Sequence, residues 1–130
     1  MYLLDTNICI AYLNGKEGSL VQKIRSYSPA DFHLCSVVKA ELLYGAHKSK
    51  NIAKNISVLE IFFSQFSSFS FDDSSAEFYG KIRALLAQSG TPIGSNDLLI
   101  ASIAQTNNLT VLTRNQSEFI RIPGLRVESW

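Results

Sequence analysis

At 130 residues the chain has the length of one domain, and a chain of this size buries roughly two thirds of its unfolded surface. Hydrophobic residues make up 46% of it and charged residues 18%, a balance that excludes a disordered protein. The formal net charge of +1 excludes a globally basic nucleic-acid binder, so RNA or DNA could be met only by a local basic patch.

In chain order, Tyr2-Leu3-Leu4 predicts a short buried strand, followed by a helix over 6–13 that stops near Asn14-Gly15. A second helix is expected over 18–27, ended by Ser28-Pro29, and Phe32 to Cys35 predict a second strand. Ser36 is the expected N-cap of a helix running to about Ser49, and residues 51–66 continue helically. Phe69 to Phe71 predict a third strand. Ser74-Ser75-Ala76-Glu77 reads as a capping box opening a helix to Gln88. After the turn Ser89-Gly90-Thr91-Pro92, Ser95 is expected to cap a helix containing Asp97. Thr110 to Thr113 predict a fourth strand and Leu125 to Glu128 a fifth. Alternating strands and helices predict one α/β domain over 1–130, with a mostly parallel sheet of four to five strands flanked by helices.

Cys9 and Cys35 form no C-x-x-C pair and read as small buried hydrophobes. The first residues lack a basic leader and a cleavage site, and no apolar stretch reaches about 18 residues. A cytoplasmic protein with no membrane segment is expected.

The chemistry lies in four acids. Asp5 closes the apolar run Tyr2-Leu3-Leu4. Glu41 interrupts the apolar helix pattern Val37-Val38 to Leu42-Leu43-Tyr44. Asp97 opens the apolar helix Leu98 to Ala104, and Glu118 lies in the segment after strand four. Three have a local alternative: Asp5 as a helix cap, Asp97 as a first-turn charge, Glu118 as a solvated loop residue. Yet a carboxylate buried without a cation is disfavoured unless a metal pairs with it. In α/β folds the carboxyl ends of the strands share one crevice, so the four acids are expected to converge there. Oxygen ligands of this kind suit Mg²⁺ or Mn²⁺, which activate water and offset phosphate charge.

Four segments also resemble, in order, the motifs of PIN domains. They are Leu4-Asp5-Thr6-Asn7, Ser36-Val37-Val38-Lys39-Ala40-Glu41-Leu42, Ile93-Gly94-Ser95-Asn96-Asp97-Leu98-Leu99-Ile100-Ala101, and Leu112-Thr113-Arg114-Asn115-Gln116-Ser117-Glu118-Phe119. The nearest resemblance is to VapC toxins of type II toxin–antitoxin systems. It implies a PIN-like three-layer sandwich and a ribonuclease requiring Mg²⁺ or Mn²⁺. It implies Asp5, Glu41 and Asp97 as the acidic core, with Glu118 or Asn115 at the fourth place. Thr6, Asn96, Thr113 and Asn115 become supporting polar residues. The implied partners are an RNA substrate, with transfer RNA one candidate, and a VapB-type antitoxin. A homodimer that can join its antitoxin in a hetero-oligomer is expected as well.

In residues 56–66, Ile56, Val58, Leu59, Ile61, Phe62, Phe63 and Phe66 spread around most of a helix. Such a helix is either wholly buried or offers a groove to another chain. Lys39 and Arg114 are the candidate phosphate contacts, being closest in sequence to the second and fourth motifs. His33 and His47 pair with no nucleophile and read as structural. A binding module in which the acids serve structure alone is the main rival. A phosphatase is disfavoured because Asp5-Thr6-Asn7 lacks the second Asp of an Asp-x-Asp site.

Overall fold

The computed structural model describes the whole chain, Met1–Trp130. Its order is β1 (Tyr2–Leu4), α1 (Thr6–Asn14), α2 (Gly18–Arg25), β2 (Phe32–Cys35), α3 (Ser36–His47), α4 (Ile52–Phe63), β3 (Ser67–Phe69), α5 (Asp73–Gln88), α6 (Ser95–Thr106), β4 (Thr110–Leu112), α7 (Gln116–Phe119) and β5 (Val127–Glu128). A single 3₁₀ turn, Pro29–Asp31, precedes β2. No helix is long and apolar enough to cross a membrane.

The five strands form one sheet in the order β3-β2-β1-β4-β5, and every pairing is parallel. Parallel strands are covered on both faces, so their residues need not alternate. Leu3 and Leu4 of β1 and all four residues of β2 are accordingly buried. The helices flank this sheet; α5 packs along α6, and α3 packs against α1, α4 and α6. Leu3, Leu34, Ile100, Ile103, Val111, Leu112 and Phe119 belong to one continuous core. At the amino ends of β1 and β2, the rings of Tyr2, Tyr27, Phe32 and Trp130 pack together. Lys23 caps Trp130 with its ammonium 4.3 Å from the ring.

The strand order reverses at β1: from it the chain moves outward through β2 to β3, then returns to lay β4 on the other side. A crevice opens beyond the carboxyl ends at such a switch point. The residues just after β1 and β4, Asp5 and Thr113, flank it.

Several boundaries differ from the sequence expectation, each for a local reason. Ser36 is not an N-cap. The buried Cys35 holds the cap position in extended backbone, and the strand runs straight into α3. Ser95 likewise lies inside α6, with Gly94 at its cap. The start of α5 is fixed by Asp72, whose carboxylate accepts from the Ser75 amide at 2.9 Å, so Ser74 falls inside the first turn. The third strand is Ser67–Phe69 rather than 69–71. Ser67, Phe69 and Phe71 share one face, and a two-residue slip leaves that face unchanged. The segment after β4 is not a plain loop but carries the short helix α7. Gly15 ends α1 as expected, at φ +67°, where a left-handed residue directs its amide to the Tyr12 carbonyl.

Candidate active site

Asp5 is the pivot of the site. It stands where β1 becomes α1 and is only 3% exposed. Its Oδ1 accepts from the Thr6 amide at 2.8 Å, and its Oδ2 accepts from the Thr113 hydroxyl at 2.7 Å. The second contact spans the switch point between β1 and β4. Its backbone joins as well, with the Asp5 amide donating to the Leu112 carbonyl at 3.0 Å. Burial pushes the Asp5 carboxyl above its ordinary value, and the two hydrogen bonds act against that rise. No cation offsets it: the single ion pair in the molecule joins Arg114 to Glu17.

Glu41 reaches the same rim from the middle of α3. Thr6 donates its hydroxyl to Glu41 Oε1 at 3.0 Å, so one threonine touches Asp5 through its amide and Glu41 through its side chain. Asp97, half-buried in the first turn of α6, pairs with Glu118 of α7 through Asn115. The Asn115 amide nitrogen donates to Asp97 Oδ2 at 2.9 Å and to Glu118 Oε2 at 3.0 Å. Asn115 is itself set by its backbone amide, which donates to the Thr113 hydroxyl oxygen at 2.9 Å. Thr113, Asn115, Asp5, Asp97 and Glu118 are thereby linked in one hydrogen-bonded chain.

The electrostatics are those of crowded acids. The Asp97 carboxyl is pushed up to about 7, first by burial, then by hydrogen bonding with Glu118 and by the charge of Asp5. Glu118 moves the other way, below its ordinary value, because it hydrogen-bonds Asp97 and Asn115. The two carboxyls thus share protonation as one coupled pair.

The expected single cluster of four is thus resolved into two bridged pairs, Asp5 with Glu41 and Asp97 with Glu118. No three acidic, His or Cys side chains close into a set that grips an ion as they stand. The donor chemistry nonetheless fits a hard dication. The groups are carboxylate oxygens, their neighbours are hydroxyls and an amide, and the two nearby thiols are unsuited. Burial holds the Cys9 and Cys35 thiols protonated, with Cys35 pushed up to about 11.

The remaining expected residues divide. Asn96 is exposed and makes no hydrogen bond to the acids; it lines a cleft of about 440 Å³ between α3 and α6, together with Glu41 and Tyr44. Lys39 turns from the rim toward α4, its ammonium 5.1 Å from the Phe63 ring. Arg114 is exposed beside the rim and is held by Glu17. Glu17 was not singled out from sequence. No sequence signal marks it, because it lies 97 residues from Arg114 and reaches it only through packing. His33 is buried on β2, its Nε2 3.3 Å from the Met1 sulfur, in keeping with a structural role.

A second feature adjoins the site. The helix α4 is neither wholly buried nor a simple surface helix. Leu59 and Phe62 enter the core, whereas Val58 and Ile61 remain 40% and 66% exposed. An apolar groove of about 460 Å³ runs between α1, α3 and α4, lined by Ile10, Leu13, Leu42, Val58 and Leu59, with Glu41 also in its wall.

The PIN domain family matches residues 2–125. This chain belongs to the PIN-domain family. Within it the similarity is to VapC proteins. The chain is 41% identical to Ribonuclease VapC2 of Rickettsia felis, over 100% of this chain and 98% of that protein. It is 38% identical to the tRNA(fMet)-specific endonuclease VapC of Shigella flexneri, covering 99% and 97%. Among solved structures, VapBC2 from Rickettsia felis bound to a DNA fragment from their promoter contains a chain similar at TM-score 0.91 and 40% identity, covering 99% and 98%. DNA-bound VapBC from Salmonella typhimurium gives TM-score 0.92 at 38% identity, covering 99% and 97%. The PIN-like α/β architecture read from the motifs is thus the one observed.

Proposed function

We propose that this protein is a divalent-metal-dependent endoribonuclease, the toxin of a VapBC-type pair, with Asp5, Glu41, Asp97 and Glu118 as its acidic site. The observation that carries this reading is the acid rim itself. A buried Asp5 and a strongly perturbed Asp97 sit at the switch point with no basic side chain paired to them. Such a rim is stable only when a cation or a proton offsets it. The VapC relatives, named as a ribonuclease and a tRNA-specific endonuclease over almost their full length, support the same activity.

Asp5 and Asp97, joined by Glu41 and Glu118, would hold Mg²⁺ or Mn²⁺. When bound, the ion lowers the pKa of water and offsets charge on a phosphodiester under attack. The chain's own residues do the positioning. Thr113 and the Thr6 amide fix both oxygens of Asp5. The Thr6 hydroxyl turns Glu41 inward. Asn115 spaces Asp97 from Glu118 and satisfies one oxygen of each. Around Asp5, the residues Leu4, Ile8 and Leu112 are buried and form an apolar floor. That low-dielectric floor strengthens every charge interaction at the rim.

The groove, which shares Glu41 with the rim, supports a protein partner that closes the site. Exposed Ile10, Val58 and Ile61 beside it would be covered by an apolar segment of a VapB-type antitoxin. The cytoplasm is the proposed location, and transfer RNA the proposed substrate class, following the tRNA-specific relative.

The test is cleavage of RNA by the protein purified free of antitoxin, with Mg²⁺ or Mn²⁺. Cleavage is expected, with loss in chelator and in Asp97→Asn. Cleavage persisting in both would reject metal-dependent catalysis at this site, and RNA binding without cleavage would favour a non-catalytic module.

A further inference from the structure

A phosphodiester approaching four carboxylates meets repulsion, and a net charge of +1 supplies no general attraction. Local cations must therefore bring it in. Lys39 is drawn to the Phe63 ring, and Arg121 donates to the Pro92 carbonyl at 2.7 Å. Arg114 differs in position. It lies between Thr113, which holds Asp5, and Asn115, which bridges Asp97 and Glu118. Its guanidinium is engaged by Glu17 through two hydrogen bonds, Nη1 to Oε1 at 3.2 Å and Nη2 to Oε2.

Two properties of this pair are unusual here. It is the sole ion pair of the molecule, and it is exposed, the side chains being 37% and 45% accessible. An exposed pair stabilises a fold little. Glu17 also forgoes its local alternative, since it stands at the N-cap of α2 without accepting a capping hydrogen bond. A carboxylate offering two oxygens to a guanidinium fork presents the same geometry as a phosphate.

We propose that Arg114 is the guanidinium that receives an RNA phosphate beside the acid rim, and that Glu17 occupies it as an internal competitor until RNA displaces it. The inference rests on the nuclease reading above for its substrate class. Glu17 is then a positioning residue that sets affinity for the phosphate. Exchange of one anion for another at Arg114 has a distinctive signature. In the native pair an incoming phosphate must break the Arg114–Glu17 contact and then sits beside the freed carboxylate, and removing Glu17 lifts both costs. The cations released on binding come from the RNA, so the salt slope reports whether Arg114 contacts a phosphate at all.

The experiment measures binding of a short fluorescein-labelled single-stranded RNA by anisotropy across salt concentrations, in the Asp97→Asn background so that RNA is not consumed. Glu17→Gln is expected to tighten binding by about two- to fivefold at low salt, the scale of an exposed pair. The slope of log affinity against log salt, set by the phosphates contacted, should change little in Glu17→Gln. Arg114→Ala should weaken binding and flatten the slope by about 0.7, and adding Glu17→Gln to it should change neither affinity nor slope. Glu77→Gln, an exposed acid on α5, controls for net charge. Unchanged affinity in Glu17→Gln or an unchanged slope in Arg114→Ala would overturn the proposal, as would an equal gain in the Arg114→Ala background or in Glu77→Gln. A fall in melting temperature with unchanged RNA binding would assign the pair to structure alone. Cleavage by the otherwise native protein is scored separately. If RNA is cut while Glu17→Gln binds as before, this inference fails and the nuclease reading stands. If the exchange signature appears without cleavage, the reverse holds.

Discussion

Asp97→Asn should make the metal-free protein more stable at neutral pH while abolishing cleavage. In the folded state the Asp97 carboxyl titrates near 7, whereas in the unfolded chain it returns to its ordinary 3.8. Below about pH 3 both states are protonated and the residue contributes no pH-dependent difference. As pH rises from about 3 to 7 the unfolded carboxyl ionises ahead of the folded one, so the unfolded state is favoured progressively, and the full loss is present above 7. A rise of this size corresponds to an upper limit of about 4 kcal/mol. Asp97 is half-exposed and Glu118 shifts in the opposite sense, so screening and the shared proton reduce the effect to about 1–2 kcal/mol. Asparagine cannot ionise, and its side-chain carbonyl still accepts the Asn115 hydrogen bond. The variant should therefore melt roughly 3–8 °C above the native protein at pH 7.5 in chelator, with no pH-dependent gain left at about pH 3. Mn²⁺ should raise the native protein and narrow the gap, since a ligand at about a hundred times its Kd adds about 2.7 kcal/mol to the state that binds it. Differential scanning calorimetry with and without Mn²⁺ reads all three. An Asn variant less stable than the native chain at pH 7.5, or a native melting curve indifferent to millimolar Mn²⁺, would refute the electrostatic account of the rim.

Thr113→Val keeps the shape of a buried side chain and removes the hydroxyl that holds Asp5 Oδ2. A hydrogen bond to a buried charge is worth about 1.5–3 kcal/mol, so the unfolding free energy from urea titration should fall by about that amount and cleavage should drop with it. Asn115→Asp places a further carboxylate between Asp97 and Glu118. It should destabilise the metal-free protein by about 1–3 kcal/mol at neutral pH, recover at pH 4, and make stability depend more steeply on Mn²⁺. Equal stability of this variant at pH 4 and pH 7.5, measured by urea titration, would show that the three groups do not share a field.

The acids were legible in the sequence because burial and charge conflict. Asp5 at the end of an apolar run and Asp97 at the head of an apolar helix are improbable surface residues, and the fold places both where that conflict implies. The alternation of strands and helices was legible for a similar reason. Parallel strands buried on both faces read as continuous apolar runs, as in Phe32 to Cys35. Caps were less so. Ser36, Ser74 and Ser95 each had the right chemistry, but the start of a helix depends on where the preceding strand or turn delivers the chain, and that is set by tertiary packing. The pairing within the rim was not legible either. Nothing in the order of residues says that Thr6 joins Asp5 to Glu41, or that Asn115 joins Asp97 to Glu118. Both bridges depend on side-chain directions across elements 35 and 18 residues apart. Asn115 and Glu118, weighed as alternatives for one place, turn out to act together. Arg114 and Glu17 are 97 residues apart, and only the packing of the loop after α1 against the segment after β4 brings them into contact.

The position of the rim also explains how a domain this small tolerates it. The destabilising charges stand above the most thoroughly buried part of the sheet, β1 between β2 and β4, where Leu3, Leu4, Leu34, Val111 and Leu112 are all fully or almost fully enclosed. Each such side chain contributes about 1.5–3 kcal/mol, so the local core outweighs a rim that withholds one or two. The same enclosure keeps the peptide groups of Asp5 and Thr113 fixed by backbone ladders on both sides, with the Asp5 amide on Leu112 and the Thr113 amide on Glu128. Rigid backbone under repelling side chains stores the repulsion instead of relaxing it. On the proposed metal-dependent reading, a cation at the rim would offset that repulsion without moving the scaffold.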